Sequence, residues 1–259
     1  MRTKINWDTS FYMMCLLSIF GGYYTEWLIY FATILIHECG HVIMATFMSW
    51  RLEEIKFFGF GGIMTYENEL NQPLYQDLWI SFGGVLANLI VAFILLYLPT
   101  QWLDIQGLRI SELAIRAQIF TILLNLIPLP PLDGHRILLD LVCLQRPYRQ
   151  ALKLLSILNF VILISFIVVT FYFNVRQFTF IICYLIVKSI EFYQHQPYLL
   201  NRFLLQKKWN ENTSLRTKET TLTSKKWESM MYRGVNNLMC WPTHRVSEQK
   251  LLQLKYKQN

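Results

Sequence analysis

The chain has 259 residues, enough for one sizeable domain with an appendage or for two small ones. Just over half of it is hydrophobic and only 16% is charged, well under the quarter expected of a soluble domain, which excludes an ordinary soluble enzyme and points to a membrane protein. The net charge of +7 sits at one end. From Asn201 onward twelve Lys/Arg face four Glu, whereas residues 1–200 carry twelve against thirteen acidic groups. A basic segment directly after apolar runs reads as a cytoplasmic flank held near anionic lipid, so no nucleic-acid partner is expected.

In chain order, apolar runs predict six transmembrane helices near Ser10–Tyr24, Trp27–Met48, Leu78–Leu98, Glu112–Leu129, Leu154–Tyr172 and Phe178–Phe192. Early positive charges at Arg2 and Lys4 resemble a signal peptide, but no small-residue cleavage site follows, so the first run is kept as a span. Six spans put both termini on one side. Arg2, Lys4, Arg51, Lys56, Arg146, Arg149, Lys153 and the tail all fall there, and only Arg176 dissents. Both termini are therefore expected to be cytoplasmic. Between the second and third runs, "RLEEIKFFGFGGIMTYENELNQPL" alternates weakly around a Gly-Gly pair and reads as a short membrane-associated β-hairpin. The five cysteines are scattered without a CxxC pair and read as packing residues, Cys39 included. The expected fold is an α-helical polytopic membrane protein over residues 1–200. Residues 201–259 follow as a small cytoplasmic appendage, α/β or disordered.

The chemistry sits in the second run, where "HECGH" is HExxH at His37, Glu38 and His41. Residues i and i+4 share a helix face, so both imidazoles can reach one metal ion. Glu38 lies about 100° around the helix, placed to act as a base on water. Ionisable groups inside an apolar helix are costly, and by default they mark a site. The bland reading is a pair of hydrogen-bonded histidines with an inert Glu38. A catalytic zinc site usually takes three protein ligands, and the chain has five Asp. Asp133, in "NLIPLPPLDGHRILLDL", is the candidate: prolines break a helix after Leu129 and Asp-Gly opens another, so Asp133 caps the new helix or projects from the break. His135 is a weaker rival on the same turn.

These motifs, HExxH in a second span, a Gly-Gly hairpin and N-x-x-P-x-x-P-L-D-G, resemble the site-2 protease family of intramembrane metalloproteases. The order is closest to the family's sporulation branch. The resemblance implies one Zn2+ per chain held by His37, His41 and Asp133, Glu38 as general base, and Asn125 near the substrate. It implies as substrate the membrane-associated pro-sequence of a sporulation sigma factor, cut at the mother-cell membrane around the forespore, with inhibitory membrane partners and room for a homo-oligomer. Two departures stand out: Val85 replaces the Pro of a G-P-x-x-N pattern in the third span, and His135 sits where a small residue is usual. The tail faintly follows the end of a CBS-type module, reduced or divergent, and nucleotide binding is not counted among its expected properties. The alternatives are a protease acting on a membrane-tethered anti-sigma factor, a non-catalytic scaffold of the same fold, and a metal transporter. Against the last, a transporter would need ligands along a path.

Overall fold

A computed structural model describes residues 4–58, 61–67, 70, 72–99, 104, 109–173, 179–209, 215, 217–221, 230–240 and 245–257. Arg2 and Arg176, used above for orientation, lie outside the described residues. The chain divides into two compact units, 1–67 with 79–127, and 68–78 with 128–259.

The first unit opens on strand β1 (Lys4–Trp7) and helix α1 (Thr9–Phe20). Asp8 starts α1 by accepting the Ser10 amide at 3.0 Å, as an N-cap should, and also pairs with Lys56 at 3.1 Å. The Ser10 hydrogen bonds and then Lys56 hold its carboxyl down to about 2. The Gly21-Gly22 turn, with Gly22 at φ 77°, separates α1 from α2 (Tyr24–Phe47). The first expected span is thus a 12-residue helix and a turn. Strands β2 (Leu52–Phe58) and β3 (Gly61–Tyr66) form the expected antiparallel hairpin. β1 pairs in parallel with β2, Lys4 opposite Glu54, which makes a sheet of order β1-β2-β3. Trp7 stacks on Phe57, while Phe11 packs on Phe31, which stacks on Trp27, so an aromatic cluster ties the sheet to α1 and α2. Ala45, Trp50, Tyr66 and Ile80 form a small core under the hairpin.

Helix α3 (Leu74–Tyr97) begins in the second unit and continues through the first, where α4 (Ile110–Asn125) also lies. α4 ends at Asn125, earlier than the Leu129 expected, because the bend begins before the prolines. α2 and α3 cross with almost no space between backbones. A Cβ on Gly40 would sit 2.3 Å from the Gly83 carbonyl oxygen and 2.7 Å from Ala87 Cβ. Small residues permit such an approach between helices in lipid. Gly40→Ala must part the helices and is expected to cost about 1–3 kcal/mol. Thermal unfolding in detergent should show a lowered Tm, against a near-native control in Gly61→Ala, whose new Cβ would meet nothing closer than 3.6 Å.

The second unit holds α5 (Asp133–Gln145), α6 (Tyr148–Tyr172), α7 (Thr179–Trp209), strands β4 (Thr217–Thr221), β5 (Asn236–Cys240) and β6 (Arg245–Ser247), and α8 (Glu248–Lys257). β4 runs parallel to β5 and β6 antiparallel to it. α7 continues through position 200 with Pro197 inside it. Its far end is anchored by buried Phe203 and Leu204 and by Lys207, which donates to Glu248 of α8 at 2.9 Å. Met231, Met239 and Leu252 share one core with Leu74, Tyr148, Leu155 and Phe203, so the described C-terminal residues pack as part of this unit.

Among the described residues α2, α3 and α6 are long and apolar enough to cross a membrane, and their exposed faces carry residues such as Ile43, Phe93 and Val168. α1 and α4 are shorter, at 12 and 16 residues, and α7 turns polar from Lys188. The protein is a mostly helical membrane protein.

Candidate metal centre

Two turns of α2 bury His37, Glu38 and His41 in an otherwise apolar helix. A buried imidazole needs a partner for each ring nitrogen, and those partners decide what the rings can bind. His41 Nδ1 lies 2.7 Å from the Ile80 carbonyl oxygen. A carbonyl only accepts, so the proton sits on Nδ1 and Nε2 carries the lone pair. His37 Nδ1 lies 3.2 Å from the side-chain nitrogen of Asn88, whose Oδ1 has no hydrogen-bond partner among the described residues. Turning that amide end for end lets Oδ1 accept from Nδ1–H, which exposes His37 Nε2 in the same way.

The two Nε2 atoms then face each other at 3.2 Å, with the rings nearly perpendicular. Two lone pairs at that distance repel, so the pair favours a shared proton or a cation. Nitrogens bound to one tetrahedral zinc at about 2.0–2.1 Å stand about 3.3 Å apart, so this donor pair fits the ion.

Backbone approaches the same spot from two directions. A Cβ on Gly84 would lie 2.5 Å from His41 Nε2 and 2.7 Å from His37 Nε2. Only glycine leaves room for an ion there. On the other side the Gly62 amide donates to Glu38 Oε1 at 3.0 Å, and a Cβ on Gly62 would lie 2.9 Å from the same oxygen. The hairpin therefore holds the carboxylate beside the histidine pair.

Of the remaining expected residues, Asn125 is the last residue of α4, and its amide donates to the Thr121 carbonyl at 3.1 Å. Asp133 is the first helical residue of α5 in the second unit. The N-cap there is Leu132 and no side chain caps the helix, so Asp133 is not the N-cap. His135 is buried with its ring on Phe192, 4.5 Å between centroids. Burial pushes its pKa down to about 4 against the pull of Asn159, leaving a neutral imidazole packed in a core. Cys39 is exposed, not packed.

Residues 26–107, which contain the whole histidine, glutamate and glycine arrangement, match the model of Peptidase family M50. Over that stretch the chain is similar to peptidase family M50, in line with the resemblance to the site-2 proteases. The chain is 27% identical over 225 residues to Stage IV sporulation protein FB of Bacillus subtilis (strain 168), covering 82% of itself and 74% of that protein. Its fold is similar to that of Site-2 Protease from Methanocaldococcus jannaschii, with a TM-score of 0.53 at 23% identity over 76% of this chain and 91% of the other. Against the family's G-P-x-x-N pattern it has Gly84, Val85, Leu86, Ala87 and Asn88. The two residues it keeps are the two that meet His37, which explains why the departure at Val85 leaves the pair intact.

Proposed function

We propose that this chain is a zinc-dependent intramembrane endoprotease that removes the pro-sequence of a membrane-associated sporulation sigma factor. The observation that carries the protease reading is the pair of Nε2 atoms 3.2 Å apart with both Nδ1 atoms engaged, beside a carboxylate held by Gly62. The sigma-factor substrate rests on the similarity to Stage IV sporulation protein FB over most of both chains. In this reading His37, His41 and Asp133 hold one zinc ion. When bound, the zinc supplies a polarised water and a positive charge for the carbonyl oxygen under attack.

The protein's own part begins with Glu38. Its carboxylate takes a proton from the attacking water as the new C–O bond forms, then returns it to the departing amide nitrogen as the C–N bond breaks. The Gly62 amide donates to one oxygen of this carboxylate and so fixes its orientation. The substrate must arrive extended, because a helix hides its carbonyls in internal hydrogen bonds. β3 pairs only with β2 among the described residues, so its other edge can accept such a strand next to Glu38. Asn125, at the end of α4, is the proposed contact to the substrate backbone. The proposal places the enzyme in the mother-cell membrane with both termini cytoplasmic, under the restraint of inhibitory membrane proteins, and with residues 201–259 as its regulatory appendage.

The test is co-expression of the chain with a sigma-factor precursor in membranes, with and without a zinc chelator. A shortened product that disappears with the chelator is expected. Zinc-loaded chain that leaves the precursor whole, or cleavage that ignores the chelator, would overturn the reading.

A further inference from the structure

The five residues Met231–Val235 touch four helices of the second unit. The Tyr148 amide at the start of α6 donates to the Met231 carbonyl at 2.9 Å. Lys207 of α7 donates to the Val235 carbonyl at 2.6 Å. Gly234, at φ 71°, lies so close to the start of α3 that a Cβ would sit 2.7 Å from Leu74 Cγ and 3.0 Å from the Leu74 nitrogen. Between them Arg233, 3% exposed, donates to Asp140 of α5 at 2.6 Å and pairs with Asp77 of α3. Arg136 of α5, itself only partly buried, also donates to Asp77 at 2.7 Å. Two carboxylates and one guanidinium are thus buried together, a costly arrangement unless they are hydrogen-bonded and paired.

Its position along the helices gives it a use. Asp77 precedes Gly84 on α3 by seven residues, and Asp140 follows Asp133 on α5 by seven. Seven residues are two turns, so on each helix the two positions share a face about 10 Å apart. One guanidinium therefore grips, two turns away, the helix that opens with the proposed third ligand, and ties it to the start of α3 within the second unit. Burial, then the Asp77 carboxylate, pushes Asp140 up to about 8 against the pull of Arg233 and Arg136, so the Arg233–Asp140 contact is a hydrogen bond as much as an ion pair.

We infer that Arg233 is a positioning residue of the proposed protease: through Asp77 and Asp140, which lie with it in the second unit, it makes the C-terminal segment set where α5 presents Asp133. The inference rests on the protease reading for its effect on cleavage, but not for its effect on α5.

The test compares native full-length protein in detergent with Arg233→Gln, Arg233→Lys and the charge-matched double variant Arg233→Gln/Asp140→Asn, which guards against a single variant that fails to fold. Hydrogen exchange along α5 and α2 and steady-state cleavage of the precursor are read together. Arg233→Gln should speed exchange in α5 and not in α2. It should lower kcat by about ten- to a hundredfold with KM unchanged, the scale of a displaced catalytic geometry. Arg233→Lys should restore most of both. The double variant should fold and remain slow. A residue serving only stability would loosen α2 as much as α5 and leave the kcat of the folded fraction native. That result, or native exchange in α5 of either Gln variant, overturns the inference. If the native chain cleaves nothing, the protease reading fails by itself and the exchange result alone decides whether Arg233 holds α5.

Discussion

Glu38→Gln is expected to lose cleavage by about 10²–10⁴-fold while retaining its zinc. Glutamine has the same shape, and its carbonyl can still accept the Gly62 amide that now reaches Oε1 at 3.0 Å. His37 and His41 keep their partners, Asn88 and Ile80, so nothing that would hold the metal changes. What disappears is a group able to take a proton from water and return it to nitrogen. Initial rates on the precursor and zinc content, measured on the same preparation, separate these effects. Retained zinc with near-native cleavage would mean that some other group is the base.

Gly84→Ala is expected to have the opposite signature, loss of the metal first and of activity as a consequence. The added methyl would fall 2.5 Å from His41 Nε2 and 2.6 Å from His37 Cε1, inside the space an ion would need. The offending atoms belong to rings whose far sides are pinned by Ile80 and Asn88, so they cannot swing away without breaking those hydrogen bonds. Zinc content should fall below about a tenth of native, because disturbing ligand orientation even through outer partners costs ten- to a hundredfold in affinity. Excess zinc in the assay should restore part of the activity, which it would not do for Glu38→Gln.

How much of this was legible in the sequence depends on the range of the contact involved. HExxH is a local pattern, and helix periodicity alone puts His37 and His41 on one face. The hairpin was legible because Gly61 and Gly62 punctuate two β-rich runs. The strand Lys4–Trp7 was not, since four residues ahead of an apolar run carry no signal of a parallel partner fifty residues on. The start of α5 at Asp133 was visible in its prolines, whereas the extension of α7 to Trp209 was hidden by Pro197 and a polar composition that only the packing of Phe203 and Leu204 explains. Gly84 and Asn88 stood out as fragments of a family pattern, but their contact with His37 is tertiary and has no mark in spacing. Arg233 showed only within the "YRG" of the faint CBS-type likeness, and nothing marked its ion pairs: its partners are 93 and 156 residues away, and an arginine in a basic tail looks like solvent-facing charge.

The measurement that tests the central claim most directly is the zinc content of the purified native chain beside Asp133→Asn and Glu38→Gln. One equivalent per native chain, retained in Glu38→Gln and lost in Asp133→Asn, is the result the account predicts. A native chain without zinc, or an Asp133→Asn chain that keeps a full equivalent, would contradict it.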